Sequence, residues 1–137
     1  MHIVLISTPI GYLGSGEGGG VELTLNSLVT GLVEKGHKVD VVAPNNSKLF
    51  EVSKKVKLHL VEGEEQKSWQ HQDYFSSVCI PDNSLLSGMI EKAIAIGKEA
   101  DIILNFSYDW LPIWMTLNIN IPIVHIISMG SESFVIR

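Results

Sequence analysis

The chain has 137 residues, 45% of them hydrophobic and 18% charged, which is enough for one domain with its own core. Its formal net charge of -5, with no basic block, does not fit nucleic acid or an anionic membrane surface as a partner. The single cysteine, Cys79, excludes an internal disulfide, and no apolar run approaches the roughly 18 residues of a membrane span, so a reducing, cytoplasmic setting is expected.

His2–Ser7 is a short β-branched apolar run and predicts a strand buried on both faces; Pro9 and the lack of a basic leader set it apart from a signal peptide. Thr8 to Gly20 reads as loop, with glycine at five of the seven positions from Gly14 to Gly20. Val21, Leu25, Leu28, Val29 and Leu32 then form one helical stripe, and Gly36 predicts a left-handed cap. Lys38–Ala43 is a second strand, stopped by Pro44-Asn45-Asn46, so the first two strands should pair in parallel across the helix. Lys55–Val61 alternates and predicts a third strand, with Lys57–Val61 in the sheet. Glu62–Asn83 is a polar surface stretch with a short strand near Val78–Ile80. Ser84 predicts the cap of a helix reaching about Lys98, with Leu86, Met89, Ile90, Ala93 and Gly97 turned inward. Ile102–Asn105 is strand four, "DWLPIWMTL" a short helix, Ile123–Ile127 strand five and "SESFVIR" the start of a helix. Alternating strands and helices predict an α/β fold: an open, doubly wound, Rossmann-like parallel sheet of order 3-2-1-4-5 with helices on both faces.

In such sheets ligands bind beyond the C-terminal strand ends, where the strand order reverses, and the loop after strand one lies there. A helix opening from Gly18-Gly19-Gly20 offers unpaired N–H groups and about half a positive charge. Gly18, Gly19, Gly20 and Glu22 are therefore the candidate phosphate-binding set, against the alternative of a flexible loop that binds nothing. Glu22 either complements the helix dipole or bonds a ligand hydroxyl. Gly14 to Gly19 satisfies G-x-G-x-x-G, but Thr8 to Leu13 separates it from strand one, and strand two ends in Ala43-Pro44-Asn45 without the acidic residue. An NAD-binding domain is thus the lesser alternative, and no Lys-Ser/Thr pair follows the glycines to make a P-loop.

Asn105, Ser107, Tyr108, Asp109 and Trp110 cluster where strand four ends, and Ser128, Met129, Gly130 and Ser131 where strand five ends. Both groups sit at the ligand rim, where polar and aromatic residues suit recognition of a small ligand. The structural alternatives are that Asp109 caps the next helix and that Trp110 and Trp114 belong to the core. His125 and His2 read as hydrogen-bonded strand histidines, and His37, His59 and His71 have no metal-ligand spacing. Trp69 to Tyr74 is either an acceptor lid or a solvated loop. No Ser-His-Asp order and no paired carboxylates stand out, and no catalytic residue is assigned.

"STPIGYLGSGEGGGVELTLNSLVTGLVEKGHKVDVVAP", "DIILNFSYDWLP" and "IPIVHIISMGS" together resemble retaining GT-B glycosyltransferases of the family 4 (group 1) type over nearly the whole chain. More narrowly, "STPIGYLGSGEGGGVELTL", "NFSYDWLP" and "HIISMGS" are similar to the cyanobacterial UDP-glucose:tetrahydrobiopterin glucosyltransferases of that family. The resemblance implies two Rossmann-like domains facing a cleft, with residues 1–137 as the acceptor-side domain and the donor-binding glutamates on a second domain outside this chain. It implies a glycine loop reaching the donor diphosphate, a UDP-sugar and a small acceptor as substrates, and neither metal nor cofactor. Many relatives carry a histidine where this chain has Ser128. Without its second domain the piece is expected to be inactive and to form a homodimer through Leu13, Tyr108, Trp110, Met129 and the terminal Phe134, Val135 and Ile136. A non-catalytic nucleotide- or phosphate-binding module is the alternative.

Overall fold

Two strands with apolar residues on both faces set the architecture of the computed structural model, which describes residues 1–50, 55–65, 81–107 and 109–128. In β1 (His2–Ile6) and β2 (Lys38–Pro44), Val4, Leu5, Val39, Val41 and Val42 have no exposed surface. Strands of that kind belong in the middle of a parallel sheet covered by helices on each side. The sheet is completed by β3 (Val56–Val61), β4 (Ile102–Asn105) and β5 (Ile123–His125). Its order is β3-β2-β1-β4-β5 and every pairing is parallel, as the sequence predicts.

Residue alternation divides the core. Ile3, Leu5, Val39, Val41 and Ala43 pack with Leu25 and Val29 of α1 (Gly20–Glu34), whereas Val4, Ile6, Val42 and Ile103 pack with Leu85, Met89 and Ala93 of α2 (Leu85–Gly97). Burying one such aliphatic side chain is worth about 1.5–3 kcal/mol, more than a typical helix cap at about 1 kcal/mol. Packing therefore places the helices, and capping trims their ends. At the end of α1, Gly36 takes φ 82°, its amide donates to Val33 O at 2.9 Å, and the His37 amide donates to Leu32 O at 3.0 Å. This is the Schellman pattern, as the position of Gly36 predicts.

Several boundaries differ from the sequence reading. β5 stops at His125, not Ile127, because β4 ends at Asn105; one last bond joins the Ile126 amide to Asn105 O at 2.8 Å, and Ile127 is exposed. β2 extends to Pro44, which still has Val61 of β3 as its neighbour. β1 ends at Ile6, although the Ser7 amide continues the ladder to Val42 O at 3.0 Å. β3 starts at Val56, within the predicted Lys55–Val61. Trp114 is not core: it is 64% exposed on α3 (Trp110–Met115), a six-residue helix with one buried side. Among the described residues no helix is long and apolar enough to cross a membrane. The stretch near Val78–Ile80, Trp69 to Tyr74, Cys79 and residues 131–137 lie outside the described residues.

Asp40 is the polar exception inside β2, at 2% exposure. His2 of β1 and His59 of β3 flank it and place their Nε2 atoms 2.6 Å from Oδ2 and Oδ1. Burial raises the Asp40 pKa more than any single partner lowers it, but the bonds to His59 and His2 together leave it below the ordinary carboxylate range. The cluster uses His2 as a hydrogen-bonded strand histidine, as expected, and gives His59, one of the three scattered histidines, a structural place.

Candidate functional site

The loop between β1 and α1 is organised by one side chain. Its last residue, Gly19, precedes the helix at φ 53°, ψ -129°, a conformation L side chains rarely adopt, and no side chain caps α1 from outside. Glu22, in the first turn and 9% exposed, instead bends back over the loop. Its Oε2 accepts from the Gly14 amide at 2.7 Å and the Gly16 amide at 3.5 Å; its Oε1 accepts from the Gly18 amide at 2.8 Å and Ser15 Oγ at 3.2 Å. Burial is the largest single influence and raises the pKa. The amides of Gly14, Gly18 and Gly16 and the Ser15 hydroxyl outweigh it and hold the carboxyl below its usual range.

This changes the candidate phosphate set. Glu22 is the anion bound by the loop, and the Gly18 amide is one of its donors. The amide of Gly19 donates to Gly16 O at 3.2 Å, and that of Gly20 has no acceptor among the described residues. Gly19 and Gly20 are exposed, and a Cβ at either would meet nothing within 4 Å. The sequence signal for the role of Glu22 was an acid three residues after the glycine that precedes the helix, the position from which a capping carboxylate reaches back.

At the end of β4 the predicted rim residues do different things. Asn105 is fully buried, and both ends of its amide are used: Oδ1 accepts from the Ser107 amide at 3.1 Å, and Nδ2 donates to Ser107 O at 2.7 Å and to His125 Nδ1 at 3.0 Å. That leaves the proton of His125 on Nε2, which donates to Thr116 Oγ1 at 2.8 Å; Thr116 in turn donates to Pro112 O at 3.0 Å. Burial lowers the His125 pKa, in keeping with this neutral tautomer. Asp109 is the N-cap of α3, accepting from the Leu111 amide at 3.3 Å. Trp110 packs with Leu86, Ile90 and Leu111, 6.3 Å from the ring of Trp114. Ser107 Oγ and Trp110 Nε1 are buried without a hydrogen-bond partner among the described residues. Ser128 is exposed, and Tyr108, Met129 and Gly130 lie outside the described residues.

Two cavities open on either side of residues 12–14. One, of about 370 Å³, lies between the glycine loop, the start of α1 and residues 48–50, with Leu13, Gly14, Glu22, Asn26, Lys48 and Phe50 among its walls. Leu13 is itself 4% exposed, its amide tied to Ser47 Oγ at 2.9 Å, so it belongs to the core and not to an exposed dimer rim. The other, of about 270 Å³, lies where β2 and β3 end and α2 begins, and Tyr12 closes one side. Sequence reasoning missed this second cavity: Asn45-Asn46 read only as a turn, and Glu62 and Glu65 only as part of a polar stretch. Among the described residues no three His, Cys, Asp or Glu side chains are arranged to hold a metal ion.

No family model and no curated protein matches the chain. Among solved structures it is similar to Rae1 (YacP) from Bacillus subtilis, at 16% identity and a TM-score of 0.49 over 91% of this chain and 70% of that one.

Proposed function

We propose that the chain is the N-terminal, acceptor-side domain of a retaining GT-B glycosyltransferase that moves a sugar from a nucleotide sugar to a small acceptor. The observation that carries this reading is the glycine loop after β1. It lies where the strand order reverses, opens α1 without an external cap, and leaves the exposed Gly19 and Gly20 at the positive end of the helix. A diphosphate can approach there because no Cβ stands in the way. Glu22 supports the reading as a positioning residue: by fixing the loop amides it sets the shape of the helix start before any ligand arrives, the condition for electrostatic stabilisation of a departing anion. UDP-glucose as donor and a pterin as acceptor come from the motif resemblance alone, with the remaining donor contacts on a second domain.

One observation favours a second reading, a phosphate-binding module without catalysis. The internal carboxylate already occupies the amides of Gly14, Gly16 and Gly18, so the anion end of α1 is narrow. Titration calorimetry of the full-length protein with UDP-glucose and with NAD, paired with a turnover assay, separates the readings. UDP-glucose binding with sugar transfer supports the transferase. Binding without transfer supports the module, and NAD binding in place of UDP-glucose overturns both.

A further inference from the structure

We infer that His2 is a proton-dependent latch: as an imidazolium it ties the start of the sheet to the turn after α2, and on losing its proton it releases that turn. Its two ring nitrogens carry the inference. Nε2 lies 2.6 Å from Asp40 Oδ2, and Nδ1 lies 2.9 Å from the backbone oxygen of Glu99. A carboxylate and a carbonyl only accept, so both nitrogens must donate, and a histidine with two N–H groups is cationic. His59 differs. Its Nε2 donates to Asp40 Oδ1 at 2.6 Å and its Nδ1 has no partner among the described residues, so the neutral ring satisfies it. Asp40 is 2% exposed, and a carboxylate that deep needs a cation beside it. His2 is the ring placed to supply one.

Nδ1 has a second neighbour. Lys38 Nζ stands 3.5 Å from it, a donor that can bond only a bare nitrogen. With its proton, Nδ1 donates to Glu99 O; without it, two lone pairs face each other there and Lys38 becomes the partner. The proton therefore chooses between the turn and β2. Two further bonds keep the turn on β1, from the Asp101 amide to His2 O at 2.8 Å and from the His2 amide to Asp101 Oδ2 at 2.7 Å, so release loosens the turn without parting the strands. Other charges nearby stand aside. The N-terminal ammonium faces His37 Nδ1 at 3.3 Å, and Asp101 is spent on the His2 amide. Lys57 (opposite Asp40 in register), Lys98 and the Glu99 side chain are exposed and make no bond to the cluster among the described residues. Because the bond to Glu99 needs the proton, its contribution is present on the acid side of the histidine range and lost as pH rises through it. Burial gives His125 the opposite sign, so a local probe must read the latch. The inference is independent of the proposed transfer.

The test is imidazole nitrogen NMR with amide hydrogen exchange on the 137-residue chain, between about pH 5.5 and about pH 8. At the acid end both ring nitrogens of His2 should carry protons; as pH rises Nδ1 should lose its proton while Nε2 keeps its own. Over the same range the amides of Glu99 and Asp101, corrected for the intrinsic pH dependence of exchange, should lose about tenfold in protection. His2→Gln keeps a hydrogen-bonding side chain that cannot titrate and should abolish this pH dependence. Lys38→Met, at an exposed position, covers the case in which that variant does not fold: the loss at the alkaline end should grow, because the bare Nδ1 then has no donor. His37→Gln should leave the response unchanged. A bare Nδ1 at the acid end, loss of the Nε2 proton first, flat protection across the range, or a pH dependence that survives in His2→Gln would each overturn the inference.

Discussion

α1 and α2 cover opposite faces of one sheet and start at the same edge of it, yet they begin in opposite ways. α2 starts at Ser84, whose Oγ accepts from the Ser87 amide at 3.2 Å, a cap completed within four residues. α1 starts at Gly19 with no such cap, and its acid reaches eight residues back to Gly14. The difference separates a terminus closed by its own side-chain cap from one whose first amide, that of Gly20, has no acceptor among the described residues. A serine at the start of α1 would satisfy its own helix; glycine followed by Glu22 shapes the loop and leaves the helix end bare.

The largest effect tests the loop. Glu22→Ala removes the acceptor of three amides and a hydroxyl, and should lower unfolding free energy by about 2–4 kcal/mol in urea, discounted because the loop can turn to water. Gly19→Val comes next, at about 1–3 kcal/mol, from forcing a β-branched residue to φ 53°. The strain lies in the backbone, since an added Cβ meets nothing within 4 Å. Ser84→Ala should lose about 1 kcal/mol. A larger loss there than at Glu22 would break the contrast between the two starts.

Gly20→Ala sharpens the same contrast from the other side. Gly20 has an ordinary φ and open space at its Cβ, so alanine should leave stability unchanged or raise it by roughly half a kcal/mol. If a diphosphate docks at this helix end, the full-length protein should nonetheless lose about tenfold in UDP-glucose affinity. Unchanged affinity would remove the phosphate site while leaving the fold as described.

Acid gives the smallest and most specific reading. The Glu22 carboxyl is held below its ordinary range, so the unfolded chain takes up its proton first; its stabilisation is present above that range and disappears as pH falls through the folded value. The gap between wild type and Glu22→Ala should therefore narrow below about pH 4; a gap that persists in stronger acid would mean the carboxylate is not the source. Burial lowers His125 too, so stability should begin to fall as pH drops through about 6.5. Imidazole NMR shifts of His125 should stay those of the Nε2–H tautomer at about pH 6, and titration at the ordinary value would contradict the Asn105–His125–Thr116 chain.

What could be read in advance depended on range along the chain. The five parallel strands, the Gly36 end of α1 and the Ser84 start of α2 rest on periodicity and on hydrogen bonds spanning a few residues, and these appear in any window of sequence. Of the predicted rim of β4, Asn105 and Ser107 are buried and Asp109 caps α3. Asn105 joins His125, twenty residues on, and that partner exists only once β4 and β5 lie side by side. Trp114 was misjudged for a related reason: composition marks it as apolar, but burial requires a surface opposite, and α3 offers its outer side none.

By itself, the sequence determined the order of elements, the double-faced central strands and the glycine-rich start of α1, because hydrophobic alternation and backbone conformation are local properties. Only the tertiary structure decided that Glu22 would be the loop's own anion. It also set Asp40 between His2 and His59, across separations of 38 and 19 residues. For Asp40 the energy comes from groups brought within about 3 Å by sheet assembly, and for Glu22 from the fold of the loop around the helix start; a hydrogen bond depends on that distance and not on sequence separation.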